Sequence, residues 1–262
     1  MVRSYGATAC TVALFCGALC ARPAAAAGTC SGGRFLQGGY GVAIQGQLND
    51  GGEEAIAGVM TSDGKCSLTA NLFGNVDGVA LLGMAATGTY SVDKNRIGGM
   101  TLNLQSGQTL SYVFNRVSRH AQVVGLENDG IGRGQIDARL QVTTSFSLSS
   151  LQGTFSYLCQ SPSNQTSALF TMSYDGNGNA AYLASTYRGA PGRVVAKTGH
   201  GFYSINPDGG YLLTLTDTGG SLTQFGGGID SLIGNAPMAA IEYKGSSIIT
   251  GPAHCVGQVI NH

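Results

Sequence analysis

Apolar residues alternate with small or polar ones along most of the chain. Residues 38–47 put Tyr40, Val42 and Ile44 on one side of the backbone, and a period of two describes a strand with one face buried. Asn49-Asp50-Gly51-Gly52 then reverses the chain, and residues 54–61 give a second strand with either Ile56, Gly58 and Met60 or the opposite set facing inward. Asp63-Gly64 leads to a third over residues 66–73, where Cys66, Leu68, Ala70 and Leu72 share a face. Residues 75–86 are ambiguous, because 79–84 suits either a strand or a short helical plug. Strands follow through Tyr90 and Val92 and over 100–104, 110–117, 121–126 and 134–142. The later half predicts strands over 153–159, 168–174, 181–187, 194–205, 211–216, 222–229, 238–243 and 247–260, the last broken at Gly251-Pro252. Asp-Gly occurs six times, at Asp50, Asp63, Asp77, Asp129, Asp175 and Asp208, nearly always between alternating runs, where it forms tight turns.

The chain is also a duplication. At an offset of 113, the twenty residues from Gly88 to Gly107 match those from Gly201 to Gly220 at six positions, Tyr90-Ser91 and Tyr203-Ser204 among them. Leu36-Gln37-Gly38 answers Leu151-Gln152-Gly153, and Ser62-Asp63-Gly64 answers Tyr174-Asp175-Gly176. The repeat is domain-sized, unlike the shorter periods of solenoids.

Residues 1–27 read as a secretory signal peptide, with Arg3, an apolar run over 7–19 and small residues at 24–27. The run is too short to span a bilayer as a helix, so the mature chain is expected to have no integral membrane span and to be secreted or periplasmic. The rival reading is a lipoprotein acylated at Cys20 or Cys30. Without Arg3 and Arg22, 12 basic residues face 14 acidic ones, a balance that does not attract nucleic acid. Cys30, Cys66, Cys159 and Cys255 remain, and an even count in an exported chain reads as two disulfides. Of the three pairings, Cys30 with Cys66 and Cys159 with Cys255 keep each bridge within one repeat. No Cys-x-x-Cys is present, so no metal site and no cofactor is expected.

Few charges, no Trp, 42 Gly and no long helical period give an all-β protein: two tandem antiparallel up-and-down β-barrels of about eight strands each after the signal. The expected division is 28–142, a linker at 143–149, and 150–262. Closure follows from the edges, since open sheets this long with few charged edge residues would pair with one another. It also makes neighbours of the strands that carry Cys159 and Cys255.

An eight-stranded barrel holds either side chains or one small ligand. The inward candidates include Tyr40, Tyr90, Tyr112, Tyr157 and Tyr203, a lining that suits an apolar or amphipathic ligand if the bore is hollow and a filled core if it is not. Arg116, Arg119 and His120 form the densest polar cluster, fit for a carboxylate or for acid–base work but equally a solvated loop. Asp175-Gly-Asn177-Gly-Asn179 opens like a calcium loop but has Thr186 at the twelfth position, which leaves a turn. His200 and His254 with Tyr203 could ligate haem or a metal, although their spacing defines no common site. No Gly-x-Ser-x-Gly elbow or paired carboxylates identify a hydrolase.

The repeated Leu-Gln-Gly-x-(Tyr/Phe), Asp-Gly and Gly-x-Tyr-Ser-(Val/Ile)-(Asp/Asn) resembles repeats of poorly characterised secreted bacterial proteins similar in outline to calycin-type barrels, the lipocalin and allene oxide cyclase class. Gly39-Tyr40 and Thr154-Phe155 stand where lipocalins carry Gly-x-Trp, and no site residue is taken from the family. The expected function is non-enzymatic binding of a small apolar or amphipathic ligand. The alternatives are a structural or surface-interaction module with filled barrels, and an isomerase-like barrel enzyme that needs Arg116 and His120 to point into a cavity.

Overall fold

The computed structural model describes residues 35–76, 79–117, 122–130, 132–161, 166–188, 193–229, 238–241 and 253–261. Sixteen strands follow in chain order: β1 (Gly38–Leu48), β2 (Glu53–Ser62), β3 (Ser67–Val76), β4 (Val79–Val92), β5 (Ile97–Leu104), β6 (Thr109–Val117), β7 (Gln122–Glu127), β8 (Gly132–Leu140), β9 (Gln152–Ser161), β10 (Thr166–Asp175), β11 (Asn179–Arg188), β12 (Arg193–Ile205), β13 (Gly210–Asp217), β14 (Leu222–Gly228), β15 (Met238–Ile241) and β16 (Ala253–Asn261). The fold is all-β; one short 3-10 turn at Leu148–Ser150 precedes β9. Among the described residues no helix is long and apolar enough to cross a membrane.

Strands β1 to β8 form a closed antiparallel barrel, each pairing with the next and β8 returning to β1. The second sheet runs β10 to β16 and then β9, and it curls so that β16 pairs with β9. Cys159 and Cys255 are directly opposed in that last ladder.

The ambiguous stretch at 75–86 is strand. Phe73 pairs with Leu82 and Leu72 with Met84, which leaves Gly83 as the extra residue of a bulge. Gly83 sits at φ 71°, a conformation that costs glycine nothing. Past the bulge the inward set changes from odd to even numbers: Leu81 is buried, Leu82 faces solvent, and Ala86 and Tyr90 are buried again. This phase change is why the stretch lacked a readable period.

The whole inner segment of β2 is buried as well, from Glu54 to Met60. Ile56 and Met60 fill the first barrel, whereas Ala55, Ala57 and Val59 belong to the outer wall. Strand β14 of the second sheet packs over β1, β2 and β3. The close approach needs glycine, because a Cβ on Gly226 would overlap Phe73 and one on Gly228 would overlap the Gly58 carbonyl. Gln141, just after β8, ties the two halves further by donating through Nε2 to the Ile229 carbonyl at 2.8 Å and the Asp208 carbonyl at 3.1 Å.

Candidate functional site

Each half carries the same plug at one end, and the repeated motifs build it. The Tyr90 hydroxyl donates to the Leu36 carbonyl at 2.9 Å, and the Tyr203 hydroxyl lies 2.9 Å from the Leu151 carbonyl and 3.0 Å from that of Leu148. Leu36 and Leu151 are fully buried beneath these clasps. The glutamine of each Leu-Gln-Gly lies across the glycine of the matching Asp-Gly turn, Gln37 on Gly64 and Gln152 on Gly176. In those turns Asp63 and Asp175 accept backbone N–H groups two and four residues on. The signature shared by the two halves is therefore a structural closure.

The tyrosines singled out from the sequence lie inside, as their phase requires. Besides the two clasps, Tyr40 accepts from the Gln37 N–H at 3.2 Å, and the Tyr157 hydroxyl lies 3.3 Å from that of Tyr174. Around them the interiors are filled. Ile44, Ile56, Met60, Leu102 and Phe114 pack the first barrel, and Phe155, Phe170, Tyr182, Phe225 and Leu213 pack the second sheet, with Phe170 edge-on to Phe225 at 5.6 Å. Their burial favours the filled reading of the aromatic lining. His200 is exposed on the outside of β12. Arg116 lies in β6 opposite Val123, whereas Arg119, His120 and Cys30 lie outside the described residues. Cys66 follows the β2–β3 turn at the plug end, and Cys255 lies in β16.

Tyr112 points to a different site. It is fully buried, and its hydroxyl donates to Glu54 Oε1 at 3.3 Å. Glu54 is 1% exposed, and its Oε2 has no donor. Both carboxyl oxygens of Glu127 on β7 are also buried with no donor. Glycines make the space: Gly46 and Gly134 oppose each other across the β1–β8 ladder. A Cβ on Gly46 would come within 3.2 Å of Glu54 Oε2, and one on Gly134 or Gly132 within 2.7 or 2.9 Å of Glu127 Oε2. Outside this pair the wall opens as a groove of ≈ 560 Å³ formed by residues 45–47 of β1, 126–127 of β7 and 132–135 of β8.

Burial dominates the electrostatics. Desolvation raises Glu54 to about 7, with Asp129 adding to the rise against the Tyr112 hydrogen bond. Glu127 rises to about 8 through desolvation, the charge of Glu54, and Asp129. Two carboxylates facing each other cannot hydrogen-bond, so Glu127 meets Asp129 only by carrying a proton itself. Burial, then the neighbouring Glu54 and Glu127 carboxyls, push Tyr112 well above its usual range. The cluster is thus a set of proton-holding acceptors beside an open groove. Among the described residues no three His, Cys, Asp or Glu are placed to hold a metal ion.

The first half alone carries it. Phe225, which has no hydroxyl, stands 113 residues after Tyr112 and pairs with Leu213 just as Tyr112 pairs with Met100. Thr166 takes the register position of Glu54, opposite Ser161 as Glu54 is opposite Gly46. Sequence reasoning missed the cluster because the inward face of β2 was left open between two sets. The available signal was Glu54 in phase with Ile56 and Met60, and Glu127 in phase with Val123. No protein-family model matches the chain, and no curated protein matches it at a significant level.

Proposed function

We propose that the chain is an exported, non-enzymatic tandem β-barrel protein that binds a small amphipathic ligand, with the site at the groove beside Glu127 and not in the apolar bore. The observation that carries this reading is the set of three buried carboxyl oxygens, Glu54 Oε2 and both of Glu127, with no donor next to an open groove. Buried acceptors left unmatched cost free energy, and a ligand with polar hydrogens would match them. Leu126, 67% exposed on the groove wall, offers an apolar surface for the rest of such a ligand.

The tandem-barrel part of the reading is supported by the two equivalent clasps and by the pairing of β16 with β9. A Cys159–Cys255 bridge fits their opposed positions, because facing residues of an antiparallel pair lie within bridging distance. Both Cys66 and Cys159 are in the bonded form, which agrees with two bridges in an oxidising compartment. Export itself rests on the leader-like residues 1–27.

Native mass spectrometry of protein purified from its own host tests the binding reading. A co-purified small molecule should be present on the native chain and absent from Leu126→Asp, a change on an exposed position. Bare protein in both cases would overturn it. A second reading, a surface-interaction module with filled barrels, is favoured by Leu158 and Leu169, which face each other on the outside of β9 and β10 and are about half exposed. It predicts a partner whose binding Leu169→Lys abolishes and Leu126→Asp does not.

A further inference from the structure

We propose that the ligand of this groove is a primary aliphatic amine, its ammonium group seated against Glu54 and Glu127 and its chain lying over Leu126. The inference rests on the binding reading above and names the chemistry of its ligand. An ammonium group has hydrogens to donate and nothing to accept with; Glu127 lines the groove, and neither its carboxyl oxygens nor Glu54 Oε2 behind it have a donor from the rest of the chain. A carboxylate ligand would add a fourth acceptor beside Glu54, Glu127 and Asp129. An alcohol brings one donor and no charge to pair with a carboxylate.

Size and shape agree. The wall at the head of the groove is backbone, because Gly46, Gly132 and Gly134 have no side chains to separate a ligand from the carboxyls. The neighbouring groups bear on the same exchange from every strand packed there. Glu54 comes from β2, Tyr112 from β6, Glu127 from β7, and Asp129 follows β7. Arg133 of β8 lies on the groove wall, whereas β1 contributes the neutral Gln45 and Gln47. The cation of Arg133 at the wall disfavours any positive charge on the ligand beyond the single ammonium group.

Loading is an exchange of charge. The ammonium ion enters with its proton, a carboxyl of the pair releases its own to solvent, and an ammonium–carboxylate pair remains. No bond to carbon is made or broken. Affinity therefore rises with pH across the range in which the two carboxyls hold their protons in the empty site.

Isothermal titration calorimetry with n-hexylamine, 1-hexanol and hexanoate, at about pH 6 and about pH 8.5 and in two buffers of different ionisation heat, tests this directly; the amine stays protonated throughout, as lysine does. Hexylamine should bind at least about tenfold more tightly at the higher pH and release about one proton at the lower, as linkage requires. Hexanol and hexanoate should bind at least about tenfold more weakly than the amine. Glu127→Gln should weaken the amine by a similar factor and leave the proton release to Glu54 alone, and its melting curve shows whether it folds; Glu54→Gln, at a more buried position, should weaken the amine likewise and leave the release to Glu127. If hexanol binds as well as hexylamine, the amine assignment is overturned while the binding reading stands. The assignment also falls if the amine binds equally to folded Glu127→Gln, or if none of the three binds; in the last case native mass spectrometry still decides whether another ligand occupies the groove.

Discussion

Tyr90 and Tyr203 each reach the carbonyl of the leucine that precedes the first strand of their half, Leu36 and Leu151, and Tyr203 reaches Leu148 as well. Removing the Tyr203 hydroxyl leaves the Leu151 carbonyl in a buried setting without that donor, a loss of about 1–2 kcal/mol. Tyr203→Phe should lower the denaturation midpoint by that amount in urea, and Tyr90→Phe should do likewise. Arg96 presents the opposite case, since it occupies φ 68° in the β4–β5 turn, a region that costs side-chain-bearing residues about 1 kcal/mol or more. Arg96→Gly should therefore stabilise the chain by up to about 1 kcal/mol in the same assay. The inward tyrosines were legible because the alternation immediately around each of them is unbroken; Tyr90 lies well past the β4 bulge. Their hydroxyl partners were not, because Leu36 and Leu151 lie just before the strands and alternation says nothing about a carbonyl across the bore.

Among the elements, β4 shows what a period of two can and cannot report. Alternation finds the strand through Tyr90 and Val92 but leaves 75–86 open, because at the bulge one inserted residue moves the buried set from odd to even numbers. Gly83→Ala should cost at least about 1 kcal/mol, because alanine resists positive φ; hydrogen exchange should show the loss first in the β3–β4 ladder. Strand β2 lies where the alternation puts it, but its inward face stays open for another reason. Its outer face is covered by β14, so residues 54–60 are buried on both sides, and no single-strand pattern separates inner from outer. That ambiguity also concealed Glu54, a charged residue in the inward phase.

At the scale of the whole molecule, glycines set the contact between the halves. A side chain at Gly228 would overlap the Gly58 carbonyl, so Gly228→Val should drive β14 off the first barrel and lower the melting temperature measured by circular dichroism. The carboxyl cluster adds a pH dependence to the whole fold. Glu54 and Glu127 bind protons more tightly folded than at the ordinary glutamate value of 4.5, so their contribution is fully present below about pH 4.5 and declines as pH rises through about 7 and 8. For Glu54, which is 1% exposed, the decline is on the order of 3 kcal/mol at most. Glu54→Gln should flatten the fall in stability between about pH 5 and about pH 9 and leave the variant the more stable at the alkaline end.

Two carboxyls, Glu54 and Glu127, keep their protons near neutrality chiefly because burial desolvates them. A carbon-detected NMR titration of the glutamate side chains measures this residue by residue. Two resonances should show midpoints near 7 and near 8, the first missing in Glu54→Gln and the second in Glu127→Gln. Glutamates that all titrate near 4.5 would contradict it.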